Sequence, residues 1–179
     1  MLEIKALSDF LSRNAHEIYS PVIFVMSPNG TLIAYNTPVE DIKALRSRAA
    51  IVSMVWNDRS YLVQQGASHP NPTEDSDASI SGPELENLTI EAEDANIFAC
   101  SVQKGLILVM EGVAPPGRKA MWKVTPEVAG APRYPLSGAS GREAALLDKQ
   151  RSKVEGMVAH LREDFAESGF VMPDGSAFV

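Results

Sequence analysis

The chain has 179 residues, 45% of them hydrophobic, and a formal net charge of −7. That length and composition suit one soluble domain with a single core. The negative balance argues against a broad nucleic-acid footprint or an anionic lipid surface, both of which call for a basic face.

The charge is unevenly spread: no Lys or Arg occurs between Arg59 and Lys104, while Glu74, Asp75, Asp77, Glu84, Glu86, Glu91, Glu93 and Asp94 all fall there. The single cysteine, Cys100, lies in the apolar run Ile97–Val102 and reads as a small buried hydrophobe in a reducing compartment rather than a reactive thiol. The opening residues Met1–Lys5 do not read as a signal peptide, and no apolar run reaches the roughly 20 residues of a membrane-spanning helix. No direct membrane insertion is expected.

The first element reads as a helix, with Ile4, Leu7 and Leu11 at helical spacing beside Phe10, stopping near Asn14. Val22–Met26 and Thr31–Tyr35 flank Ser27-Pro28-Asn29-Gly30 and read as a hairpin. Thr37, Pro38 and Glu40 form a T-P-x-E capping signature, so a second helix is expected from there to about Trp56 or Asp58. Ile42, Leu45, Ala49, Val52 and Trp56 make one stripe on it. Ala44, Ile51 and Val55 make another, about 100° round. A helix resting on one sheet needs one stripe, so the second is covered either by more of this chain or by a partner. Ser60–Val63 reads as a short extension.

Residues 66–83 are rich in Gly, Ser, Pro, Asn and acid and read as a disordered loop. Strands follow over Leu88–Ala92, Asn96–Val102 and Leu106–Met110, the last two joined by a turn in which Gly105 takes the left-handed position. Residues 112–138 read as an irregular Pro/Gly-rich insertion, with a short ordered piece around Met121–Val124. Trp122 there either clips the loop to the domain or serves as a binding anchor. Ser140 and Glu143 open a last helix, whose buried face is Leu147, Val154, Val158, Leu161 and Phe165. The expected domain spans 1–168, with 169–179 a loose tail. Expected core residues are Ile23, Val25, Leu45, Ala49, Val52, Trp56, Phe98, Leu108, Val158 and Leu161.

Chemistry-bearing motifs are absent. No phosphate-binding glycine loop, dinucleotide fingerprint or nucleophile elbow occurs. His16, His69 and His160 are isolated and Cys100 has no partner at zinc-ligand spacing. No catalytic residue, cofactor or metal is expected.

Met1-Leu2, Lys5-Ala6-Leu7, Leu11-Ser12, Gly30, Leu32, Ala34-Tyr35, Ala49-Ala50-Ile51, Ser53 and Trp56 together resemble the roadblock/LC7 family, and within it the adaptor subunits of Ragulator-type complexes. The likeness is concentrated in the first third of the chain, and the 66–83 and 112–138 stretches are longer than the family's compact pattern. The resemblance implies a profilin-like α+β fold, α-β-β-α-β-β-β-α, with a five-stranded antiparallel sheet between helices. It also implies heterodimers with another roadblock-type subunit, through second helices lying side by side and sheets joined at the third strand. Ala44, Arg48, Ile51, Val55, Leu88, Ile90 and Ala92 become the candidate interface.

Implied partners are other Ragulator-like subunits, among them a lipidated anchor, and Rag-type GTPases at the cytosolic face of the late endosome, lysosome or vacuole, in TORC1 and MAPK signalling. No nucleic acid is among them. Regulation of a small GTPase, or service as a dynein-type light chain, are the alternatives that the same resemblance carries.

Overall fold

The computed structural model describes residues 3–17, 19–39, 41–66, 84–119, 122–129 and 141–169. The loop read at 66–83 beyond Gly66, the tail beyond Gly169, His69, Glu40 and Ser140 lie outside them. The elements run α1 (Ile4–Asn14), β1 (Val22–Met26), β2 (Leu32–Tyr35), α2 (Ile42–Gly66), β3 (Leu85–Ala92), β4 (Ala95–Gln103), β5 (Leu106–Val113), β6 (Trp122–Val128) and α3 (Gly141–Ser168). All strands pair antiparallel in one sheet, in the order β2-β1-β5-β4-β3-β6.

Alternation along the strands divides the core in two. On one face Ile23, Val25, Phe98, Cys100, Val102, Leu108 and Met110 pack against Leu7 and Leu11 of α1 and Leu147, Val154, Val158, Leu161 and Phe165 of α3. On the other, Phe24, Met26, Leu88, Ile90, Ala99, Ile107 and Val109 pack against Leu45, Ala49, Val52, Val55 and Trp56 of α2. The sheet therefore lies between helices, and every residue expected in the core is buried.

Three features differ from the sequence reading. The cap of α2 is Asp41, not Thr37: Asp41 Oδ1 accepts from the backbone N–H groups of Lys43 (2.7 Å) and Ala44 (3.2 Å). Thr37 is engaged elsewhere, its backbone N–H donating to Ser12 Oγ at 2.9 Å. Second, α2 continues past Asp58 to Gly66, because Arg59–Gln65 holds no helix breaker.

Third, among the described residues the sheet has six strands, not five. Trp122–Val128, inside the stretch read as irregular, pairs along β3 from Ala92↔Trp122 to Leu85↔Val128. Pro126 hid this strand. Proline removes one backbone donor, which an edge strand tolerates and a central one does not. Lys123 Nζ reaches the buried Glu91 across the strand pair at 3.0 Å, and Glu127 pairs with the buried Arg151 of α3. The first pair lies directly across the strands and supports the register of β6 on β3, and the second ties β6 to α3.

Candidate interaction face

Helix α2 positions the residues of greatest functional interest. Its sheet-facing side is held by apolar packing and by the hairpin tip. Ser53 Oγ donates to Pro28 O at 2.5 Å and Asn57 Nδ2 donates to the same oxygen at 3.0 Å. Gly30 sits in the tip with φ +84°, and a side chain there would close to 3.2 Å from Ser53 Cβ. The turn needs glycine for its conformation and for its approach to the helix.

The opposite side of α2 carries Ile51 (43% exposed), Met54 (67%), Tyr61 (61%) and Leu62 (46%). These large apolar side chains follow one line with Ser47, Asp58 and Gln65, stepping by four and three residues. That spacing is the seam along which one helix packs on another. α2 is thus apolar on two sides, and only one of them meets its own sheet.

The seven residues singled out in the sequence divide sharply. Ile51 lies on the open side. Val55 is buried, 9% exposed, and belongs to the sheet-facing cluster; its place at the border between the two sides is settled by the packed sheet, not by helical angle. Ala44 is half-buried and lines a cleft of about 600 Å³ with Val22, Asn36 and Pro38. Arg48 Nε pairs with Glu111 of β5 at 2.9 Å.

Leu88 and Ile90 point into the core beneath α2, 1% and 0% exposed, and Ala92 pairs with Trp122. Since β3 has β4 on one edge and β6 on the other, its backbone has no free edge for a second sheet. The expected junction through Leu88, Ile90 and Ala92 is therefore corrected: this chain supplies the neighbouring strand itself. Tyr61 and Leu62 were missed because the helix was expected to stop before its last two turns; Met54 lay inside the expected helix but was placed on neither apolar stripe. Trp122 is 57% exposed at the start of β6, so its ring does not clip the insertion to the core.

The remaining residues weighed for chemistry are Cys100, His160 and His16. Burial pushes the Cys100 thiol up to about 12, with Glu155 adding to the rise, so it stays protonated. His160 is exposed beside Asp164 (3.6 Å) and stacks on Phe10, with ring centroids 5.2 Å apart. His16 is exposed near Tyr19. Among the described residues no group of three His, Cys, Asp or Glu side chains is placed to hold a metal ion, and no helix is long and apolar enough to cross a membrane.

The Glu111 carboxyl is pushed above its ordinary value of 4.5 by burial, with Arg48 pulling it back and Asp94 adding to the rise. The folded protein therefore holds that proton more tightly than the unfolded chain does. Its contribution to stability is complete below pH 4.5 and is lost as pH rises through the folded-state value. Thermal melts across this range are expected to show a shallower decline for Glu111→Gln than for the unmodified protein. An unchanged slope would remove Glu111 as its source.

No family model matches the chain, and no curated protein matches it. Among solved structures it is similar to a roadblock/LC7 domain from Streptomyces avermitilis, at 12% identity over 63% of this chain and 79% of that one, with a TM-score of 0.46. It is also similar to MglB of Myxococcus xanthus (14% identity, 90% and 93% covered, TM-score 0.48). The gliding protein mglB of Thermus thermophilus is similar too, at 11% identity, with 90% and 91% covered and a TM-score of 0.48. Likenesses at this distance carry no statement about partners or activity.

Proposed function

We propose that this chain is a non-catalytic, roadblock-type adaptor subunit that docks a second helix-bearing subunit on the outer side of α2. The observation that carries the reading is the exposed line Ile51, Met54, Tyr61 and Leu62, set opposite a fully occupied sheet-facing side. Apolar surface of this size on a soluble chain is stabilised by being covered, and its four-three spacing selects a helix as the cover. The element order and the β2-β1-β5-β4-β3 sheet agree with what the resemblance implies, with β6 added.

In the fuller form of the proposal the partner is another roadblock-type subunit. The pair belongs to a Ragulator-like assembly that brings Rag-type GTPases to the cytosolic face of the late endosome, lysosome or vacuole for TORC1 and MAPK signalling. A lipidated sister subunit supplies the membrane attachment. Support for this form comes from the N-terminal residues quoted above, Ala49-Ala50-Ile51, Ser53 and Trp56 foremost.

The test is affinity purification of the tagged full chain from its own host, beside Ile51→Asp. The unmodified chain is expected to retain a roadblock-type subunit and Rag-type GTPases. Ile51→Asp, which places a charge in the contact, should lose them at least tenfold while its circular dichroism is unchanged. Retention of both by Ile51→Asp would move the docking face elsewhere. Recovery of neither by the unmodified chain would end the Ragulator-like form.

A further inference from the structure

The line of residues on the open side of α2 is not wholly apolar. Asp58 falls in its middle, four residues beyond Met54 and three before Tyr61, with its side chain 61% exposed. Its only described ion pair is with its neighbour Arg59, whose Nε lies 3.6 Å from Asp58 Oδ2. Arg59 stands about 100° round the helix, on the flank turned toward the sheet. It meets the carboxylate from the side and leaves it facing outward along the seam.

Consider a second copy of the chain as the cover. In a parallel pair Asp58 faces Asp58, and two carboxylates meet inside the contact. In an antiparallel pair that covers both Ile51 and Tyr61, those two residues face each other across the two-fold, and Asp58 then lies against Met54. Each arrangement desolvates a carboxylate without adding a cation.

The other basic residues of α2 do not repair this. Arg48 is held by Glu111 at 2.9 Å. Arg46 projects about 100° away from the seam. Lys43 lies in the first turn, and sliding it opposite Asp58 carries Tyr61 past the other helix's first residue, Ile42. No Lys or Arg follows Arg59 in the helix.

We propose that Asp58 selects the occupant of this face: it disfavours a second copy of this chain and favours a helix of a different protein that places a lysine or arginine opposite it. This rests on the reading of α2 as a docking face. It adds which helix docks, since a polar residue inside an otherwise apolar seam fixes pairing at the expense of the wrong partner.

The test uses full-length protein in sedimentation equilibrium. The unmodified chain is expected to be monomeric. Asp58→Leu should self-associate at least tenfold more tightly, and adding Met54→Asp to it should reverse the gain. Asp58→Asn, neutral and nearly isosteric, should show the same direction should the leucine variant precipitate.

Mixtures then test the cation. Unmodified chain is combined with Asp58→Lys, which sets Lys against Asp58 in a parallel pair, or with the double variant Met54→Lys/Asp58→Lys, which does so in an antiparallel one and, alone, sets lysine against lysine in either. One mixture is expected to form a one-to-one pair that neither component forms alone. Self-association of the unmodified chain as tight as that of Asp58→Leu overturns the selection while leaving the docking face standing. A leucine variant that pairs while both mixtures stay monomeric overturns the basic partner. Monomers throughout would take the docking face down as well.

Discussion

Trp56→Ala is expected to lower the free energy of unfolding by about 3–5 kcal/mol. The ring is 6% exposed and belongs to the cluster that joins α2 to the sheet, with Phe24, Leu88, Ile90 and Val109. Truncation removes its transfer free energy and leaves a cavity that strands on one side and a helix on the other cannot easily close. Against a typical total of about 5–15 kcal/mol, that is roughly a fifth or more of the stability. In urea the midpoint should fall by roughly 2 M, given slopes of about 1–3 kcal/mol per molar. Trp122→Ala is the control: that ring is 57% exposed, and its loss should cost about 0.5 kcal/mol or less. Equal midpoints for the two variants would refute the division between a core tryptophan and a surface one.

Gly112→Ala is expected to cost about 3 kcal/mol, at the upper end of what overpacking usually costs. A methyl group there would stand 2.2 Å from Gln150 Nε2 and 2.7 Å from the carbonyl oxygen of Tyr19. Gln150 has little freedom to move aside. Its Nε2 donates to Val113 O at 3.1 Å and Tyr19 O at 3.3 Å, and its Oε1 accepts from the buried Asn96 Nδ2 at 2.8 Å. Arg118 Nη1 donates to Asn96 Oδ1 at 2.5 Å and to Ala92 O at 3.1 Å, tying the end of β3 into the same group. Displacing Gln150 therefore leaves several buried polar groups short of partners, each costing about 1–3 kcal/mol. Thermal unfolding should show the loss, and adding Gln150→Ala should not restore it, since removing the amide leaves Asn96, Tyr19 O and Val113 O without the same partner. A melt of Gly112→Ala coincident with the unmodified protein would contradict the packing described.

Periodicity carried the parts of this fold that one segment decides alone. Leu7 and Leu11, Leu147 through Phe165, and the alternating strands each announce a buried side by spacing. What the sequence left open depended on distant contacts. Thr37 and Asp41 are both good N-cap residues, and the choice between them turns on Ser12, twenty-five positions from Thr37. Pro126 argues against a strand until β3 is known to need a neighbour. The open side of α2 was half legible. Ile51 stood out and Met54 lay within the expected helix, but Tyr61 and Leu62 join them only once the helix is followed to Gly66. Val55 was assigned to the wrong side because angle alone does not fix where a curved sheet stops touching a helix.

The placement of β6 has a consequence for higher-order architecture. A bare strand rim is a template on which further chains can stack without limit, the route to ribbons and fibrils. Here that rim is filled from within, and the strand that fills it is a poor template in turn, since Pro126 lacks an amide hydrogen. The docking proposed here falls on the helical side, where one partner helix fills the contact. The other edge of the sheet is β2, only four residues long and so a short template as well.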